Sequence, residues 1–176
     1  TEAQVNAVVS AGATITTAAN YTSTLSDADI DENELDDILA DTTGVVTATS
    51  TGETAAVLVT ALARGAATDA LTLTIAAGAE TATDLTTLDG FTTVAVGAGA
   101  VTDISGTEAQ VSAVVDAGAD ITTASDYTST LSDADIDEDL LDDILADTTG
   151  VVTATSTGET AAALVTALVR GAATDA

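Results

Sequence analysis

Eight carboxylates crowd residues 27–41: Asp27, Asp29, Asp31, Glu32, Glu34, Asp36, Asp37 and Asp41. The pattern returns as Asp133, Asp135, Asp137, Glu138, Asp139, Asp142, Asp143 and Asp147. Asp27, Asp29 and Asp31 alternate as the first ligands of an EF-hand loop do, and Ca2+ is bound by several converging oxygens. The match then fails, because the sixth position is Glu32 instead of glycine and the twelfth is Ile38 instead of glutamate. A looser Ca2+ site remains, with the turn 27–31 supplying carboxylates and carbonyls. Its candidate ligands are Asp27, Asp29, Asp31 and Glu32, with Asp133, Asp135, Asp137 and Glu138 in the second set. The same residues have a structural use: they cap a helix N-terminus and keep a polar face wet.

Other constellations are weaker. Asn20, Asp69, Asp103, Asp120 and Asp126 fall in turns, where they stack into ladders or, more simply, bond their own backbone. Thr47 and Thr49, Thr72 and Thr74, and Thr153 and Thr155 make pairs that resemble the rows of ice-binding solenoids, although threonine is also an ordinary strand surface residue. Catalysis finds little support. Without His, Cys or Lys there is no base poised near neutrality and no activated nucleophile. Paired carboxylates cut glycosides only when they face a pocket, and there is no Trp to make a sugar platform. Arg64 and Arg170 each stand just before a glycine that ends a helix, a position suited to capping carbonyls. No catalytic residue and no cofactor other than Ca2+ is expected.

Composition narrows the partners. The chain of 176 residues carries 29 acidic and two basic side chains, a net charge of -27. Nucleic acid and anionic membrane are excluded as direct partners, since both are polyanions. Divalent cations are favoured, and a saline exterior would screen the self-repulsion. Without Cys the redox compartment stays open. No apolar run is long enough to insert into a membrane. The chain begins without Met and in mid-pattern, which reads as a window cut from something longer. The only aromatics are Tyr21, Phe91 and Tyr127, so the apolar layers must be thin and built from Ala, Val, Leu and Ile.

The elements that position these residues are repeated. Residues 1–70 align without a gap on residues 107–176, with nine differences: Asn6/Ser112, Ser10/Asp116, Thr14/Asp120, Ala19/Ser125, Asn20/Asp126, Asn33/Asp139, Glu34/Leu140, Val57/Ala163 and Ala63/Val169. Within this long repeat, Gly52, Gly106 and Gly158 each precede a helix-like stretch, which sets a unit near 53 residues made of two helix–strand halves. The units run 1–52, 53–106 and 107–158, with a partial 159–176. Capping boxes are expected at Thr1/Gln4, Thr107/Gln110, Asp31/Glu34 and Ser50/Glu53, with stops at Gly12, Gly118, Gly44 and Gly65. A weaker helix spans 80–90. Strands are expected at 13–18, 45–49, 71–75 and 91–96, with 121–124 and 151–155 as copies, and short ones at 21–25 and 127–131. The stretch 97–100 reads as a turn. Helix and strand in alternation imply an α/β fold with parallel strands. The expected architecture is a solenoid of short helices and parallel strands. The two helices of a unit differ in character, which favours a straight stack over a horseshoe.

The run TEAQVNAVVSAG…ITTAANYTSTLS…DILADTTGVVTATSTGETAA resembles the Ala/Thr/Asp-rich tandem arrays of giant secreted or surface proteins of aquatic bacteria, including cyanobacteria. The resemblance implies an exported, repetitive, non-catalytic shaft in a calcium-bearing setting. The nonapeptide GGxGxDxUx of RTX calcium solenoids is absent, so no ligand position is carried over. The expected function is an extracellular structural repeat of a fibre, surface layer or adhesin stalk, acidic and Ca2+-stabilised, associating with neighbouring repeats or copies. The alternative is a binding module, either a Ca2+-dependent adhesin face or an ice-binding solenoid.

Overall fold

The structure, a computed structural model, describes residues 1–157. The expected helix after Gly158, Arg170 and the partial unit 159–176 lie outside the described residues. Six helices are described: α1 (Glu2–Ser10), α2 (Glu32–Asp41), α3 (Ala55–Ala61), α4 (Ala82–Asp89), α5 (Glu108–Ala117) and α6 (Glu138–Asp147). Most begin where a local capping signal stands. Thr1 and Thr107 form capping boxes with Gln4 and Gln110, and Asp31 and Asp137 each accept from two backbone N–H groups of the following turn. Gly12 (φ 51°) and Gly118 (φ 55°) take up the positive φ that glycine allows just past α1 and α5.

The expected Ser50/Glu53 box is corrected. Both residues lie in β2 (Val46–Glu53), and the helix is capped by Thr54. The run VTATSTGE continues as strand because β3 (Ala70–Ile75) pairs with it along nearly its whole length. The weak fourth helix likewise starts later than expected. Glu80 belongs to β4 (Gly78–Thr81), and Thr81 is the cap.

The remaining strands are β1 (Ser23–Thr24), β5 (Val96–Ala98), β6 (Val101–Gly106), β7 (Ile121–Thr123), β8 (Thr128–Leu131) and β9 (Val152–Thr153). They form two sheets, β1-β2-β3-β5-β7 and β4-β6-β8-β9, with every pairing parallel. Helices pack in chain order, each on the next. The two near-identical halves are therefore not closed on one another, since α3 and α4 lie between α1–α2 and α5–α6. One apolar layer runs between helices and strands. Leu35 and Ile38, Leu58 and Leu62, Leu85 and Leu88, Val111 and Val114, and Leu141 and Ile144 meet Val46, Leu71, Leu73, Ile75, Val96, Ile104 and Ile121. Tyr127 is the one fully buried aromatic among the described residues.

Near-identical sequence does not always take identical structure. Residues 13–18 were expected as a strand, but Gly12–Thr14 form a 3-10 turn and no strand follows. Their copy does become β7, because β5 lies beside it to accept pairing. Residues 91–96 contribute only Val96 to a strand, since Phe91 to Thr93 make a polar turn. β4 and β6 were not anticipated. Finally, β1 and β2 repeat as β8 and β9, yet the first pair sits in the five-stranded sheet and the second in the four-stranded one. β8 is laid against β6, while β1 has only β2 as its neighbour. Which ladder a segment joins is decided by the strand offered to it.

Candidate functional site

The polar groups gather along the seams between successive helix–strand segments. Every described helix carries a glutamate at its first position or two residues before its first: Glu2, Glu32, Glu53, Glu80, Glu108 and Glu138. Negative charge there is favoured by the helix dipole. Several of these and nearby acids reach across a seam to backbone N–H groups. Asp27 accepts from the Glu2 N–H, and Glu2 Oε2 accepts in turn from the Asp31 N–H at 3.0 Å. The second copy repeats this, with Asp133 accepting from Glu108 N–H and Glu108 Oε2 from Asp137 N–H at 2.8 Å. Glu80 Oε2 accepts from the Ala55 N–H at 3.2 Å.

The remaining candidate ligands are spoken for separately. Asp29 accepts from Thr51 N–H (2.8 Å) and Asp135 from Thr157 N–H (2.7 Å). Ser50 Oγ donates to Glu32 (2.6 Å), and Ser156 Oγ to Glu138 (2.9 Å). Asp31 and Asp137 cap their own helices. Each of the eight carboxylates thus accepts from a different group. Among the described residues, no three His, Cys, Asp or Glu side chains converge as a cation's ligand set. A seated Ca2+ needs several oxygens on one centre.

A second seam device was not foreseen. Thr42–Thr43, Thr92–Thr93 and Thr148–Thr149 act as clamps. The first hydroxyl of each pair accepts from the N–H two residues on and donates to a carbonyl of the preceding segment: Tyr21, Leu71 or Tyr127. The second threonine donates both its N–H and its hydroxyl to one carbonyl, that of Ala19, Asp69 or Ser125. The recurring Thr–Thr pair after α2, α4 and α6 was the signal available in the sequence. Tyr21 and Tyr127 donate across the same seams to Asp41 (3.1 Å) and Asp147 (3.0 Å).

Arg64 corrects an expectation. Instead of capping its own helix, it pairs with Asp36 on α2 at 2.6 Å. A surface pair of this kind contributes little, about 0–1 kcal/mol. Of the turn residues, Asp69 is 4% exposed and ties two segments together. Asp103 accepts from the Thr128 hydroxyl at 2.7 Å, while Asn20 and Asp126 are exposed. Asp120 faces Asp89 across a shallow cleft lined also by Thr92, Thr93 and Val94.

Burial pushes the Glu2, Glu80 and Glu108 carboxyls above their ordinary value of 4.5, although the N–H groups they accept from pull the other way. One oxygen each of Glu2 and Glu108 (Oε1) is buried without a partner. Burial and then the Asp120 charge raise Asp89. Burial also pushes Tyr21 up to about 12, helped by Asp41, and Tyr127 higher still. A carboxyl raised in the folded state adds stability below its unfolded value and loses it as pH rises through the folded one. The melting temperature should therefore fall as pH rises from the ordinary carboxyl value of 4.5 towards neutrality, at constant ionic strength. Glu2→Gln with Glu108→Gln should flatten that slope, because an amide keeps the acceptor and carries no charge. A wild-type melting temperature that climbs over the same window would sink this account.

The expected threonine rows are partly assembled. Thr49 stands beside Thr72, and Thr51 beside Thr74, which is followed by Gly97 and then Thr122. Thr47 is beside Ala70, so that row breaks. Among the described residues no helix is long and apolar enough to cross a membrane. Comparison of the chain with protein-family models, curated proteins and solved structures gives no match.

Proposed function

We propose that the chain is a segment of an extracellular structural repeat, a non-catalytic α/β solenoid serving in a fibre, surface layer or adhesin stalk. The observation that carries this reading is the recurrence of one seam chemistry. The same clamps and acid contacts recur between segments, while α1, α3 and α5 begin at Glu2, Ala55 and Glu108, evenly 53 residues apart. Such a layout suits stability assembled from neighbour contacts, with length as the product. The test is to image chains carrying one, two and three further copies of residues 1–106. The particle should lengthen in equal steps. A particle that thickens or stays round would reject the reading.

Cations enter this reading as screening partners of the acidic faces. Ca2+ is expected to raise the melting temperature no more than Mg2+ does at matched ionic strength, as screening without a chelating site requires. A Ca2+-specific rise reversed by EDTA would instead support a seated ion. The threonines in register across parallel strands favour one second reading, an ice-binding face. An ice-growth assay decides it, with Thr51→Val and Thr74→Val as the variants that should abolish any effect.

A further inference from the structure

The duplicated sequence provides an internal control on what the first segment lacks. Val8 is 37% exposed and its copy Val114 2%. Ile15 is 46% exposed and Ile121 2%. Tyr21 is half-buried and Tyr127 buried. The residues are the same, so the difference lies in the neighbour. In the second copy this face is covered by α4, β5 and β6. In the first copy α1 is packed on α2, and its other side is bare.

From this difference we infer that the face formed by α1 and residues 15–24 is a docking surface for one further coil of the make of residues 71–106, joined ahead of Thr1 in the chain. The inference rests on the structural-repeat reading. Three observations fit this occupant. The covering surface already exists in the chain, as Leu85, Leu88, Val96, Val101 and Ile104, and it seats the same sequence 106 residues on. Residues 15–17 lack only a partner strand to become what 121–123 are, and β1 is two residues long where β8, paired to β6, is four. The charge is also better matched than inside the chain. An incoming Asp89 would meet Thr14, where the internal Asp89 meets Asp120.

The experiment appends a copy of residues 71–106 ahead of Thr1 in the full chain and follows amide hydrogen exchange. Exchange at 15–17 and 22–25 should slow by about tenfold or more, towards that of 121–123 and 128–131. Leu85→Asp with Leu88→Asp, made in the appended copy alone, should cancel the gain. Ile15→Asp should leave the unextended chain's melting temperature unchanged, since the side chain is exposed there, and cancel the gain in the extended chain. An extended chain that lengthens while 15–17 stay unprotected would overturn the inference and leave the structural reading standing. Concentration-dependent dimerisation of the unextended chain, abolished by Ile15→Asp, would make a second copy the occupant and overturn it too.

Discussion

Gly150→Ala is expected to be the most damaging single-methyl change in the described chain, with Gly44→Ala its weaker twin. A Cβ at Gly150 would lie 2.6 Å from the Asp126 carbonyl oxygen and closer still to that of Tyr127. At Gly44 the same atom would meet the carbonyls of Asn20 and Tyr21. These obstacles are backbone, so no rotamer change relieves them. Nor can the carbonyls retreat freely, because Thr42 and Thr148 donate to the Tyr21 and Tyr127 oxygens. Overpacking against groups that cannot move costs about 3 kcal/mol or more. The first segment is covered on one side only and can open locally, so Gly44→Ala should cost less. Gly99→Ala is the control. Its Cβ would meet nothing within 4 Å, and a change of that kind stays within about 0.5 kcal/mol. Urea melts of the three variants measure this. Coincident curves for Gly150→Ala and Gly99→Ala would mean the seam is looser than described.

Asp69→Ala should produce the second large loss. Its Oδ1 accepts from the Val46 N–H at 2.8 Å and its Oδ2 from the Ala66 N–H at 3.0 Å. Alanine would leave both donors without their partner, and Val46 is fully buried. A hydrogen bond to a charged group is worth about 1.5–3 kcal/mol, so losing two costs roughly 3–6 kcal/mol. Asp69→Asn keeps one acceptor and turns an amide N–H towards the other donor, so it should recover about half. Asp126→Ala, at an exposed turn position, should change stability by no more than about 0.5 kcal/mol. The loss should also appear as faster amide exchange at Val46, which sits one segment away from the mutated residue. Protection unchanged at Val46 would show that the carboxylate serves only its own turn.

The features legible in the sequence are those set by residues within one turn of each other. The caps at Thr1, Asp31, Thr107 and Asp137 are contacts between a side chain and a backbone N–H two or three residues on, and they stand where the letters place them. The α/β alternation and the aliphatic layer follow from periodicity and from the near absence of aromatics. The roles of the acids were less legible. Asp27 and Asp29 look alike in sequence, but one holds the start of α1 and the other the end of β2. Their partners lie more than twenty residues away, and only folding brings them near. The clearest case is Ile15 and Ile121, flanked by nearly the same sequence (Thr14 against Asp120 is the nearest difference) with opposite outcomes: one exposed outside any strand, the other buried within one. A strand and a buried side chain both require a neighbour to complete them. The amino-acid sequence by itself determined where α1, α2, α5 and α6 begin and which residues are apolar. The tertiary structure decided which strands exist, which carboxylates serve which seam and which faces stay open, because each of those depends on what lies one segment away.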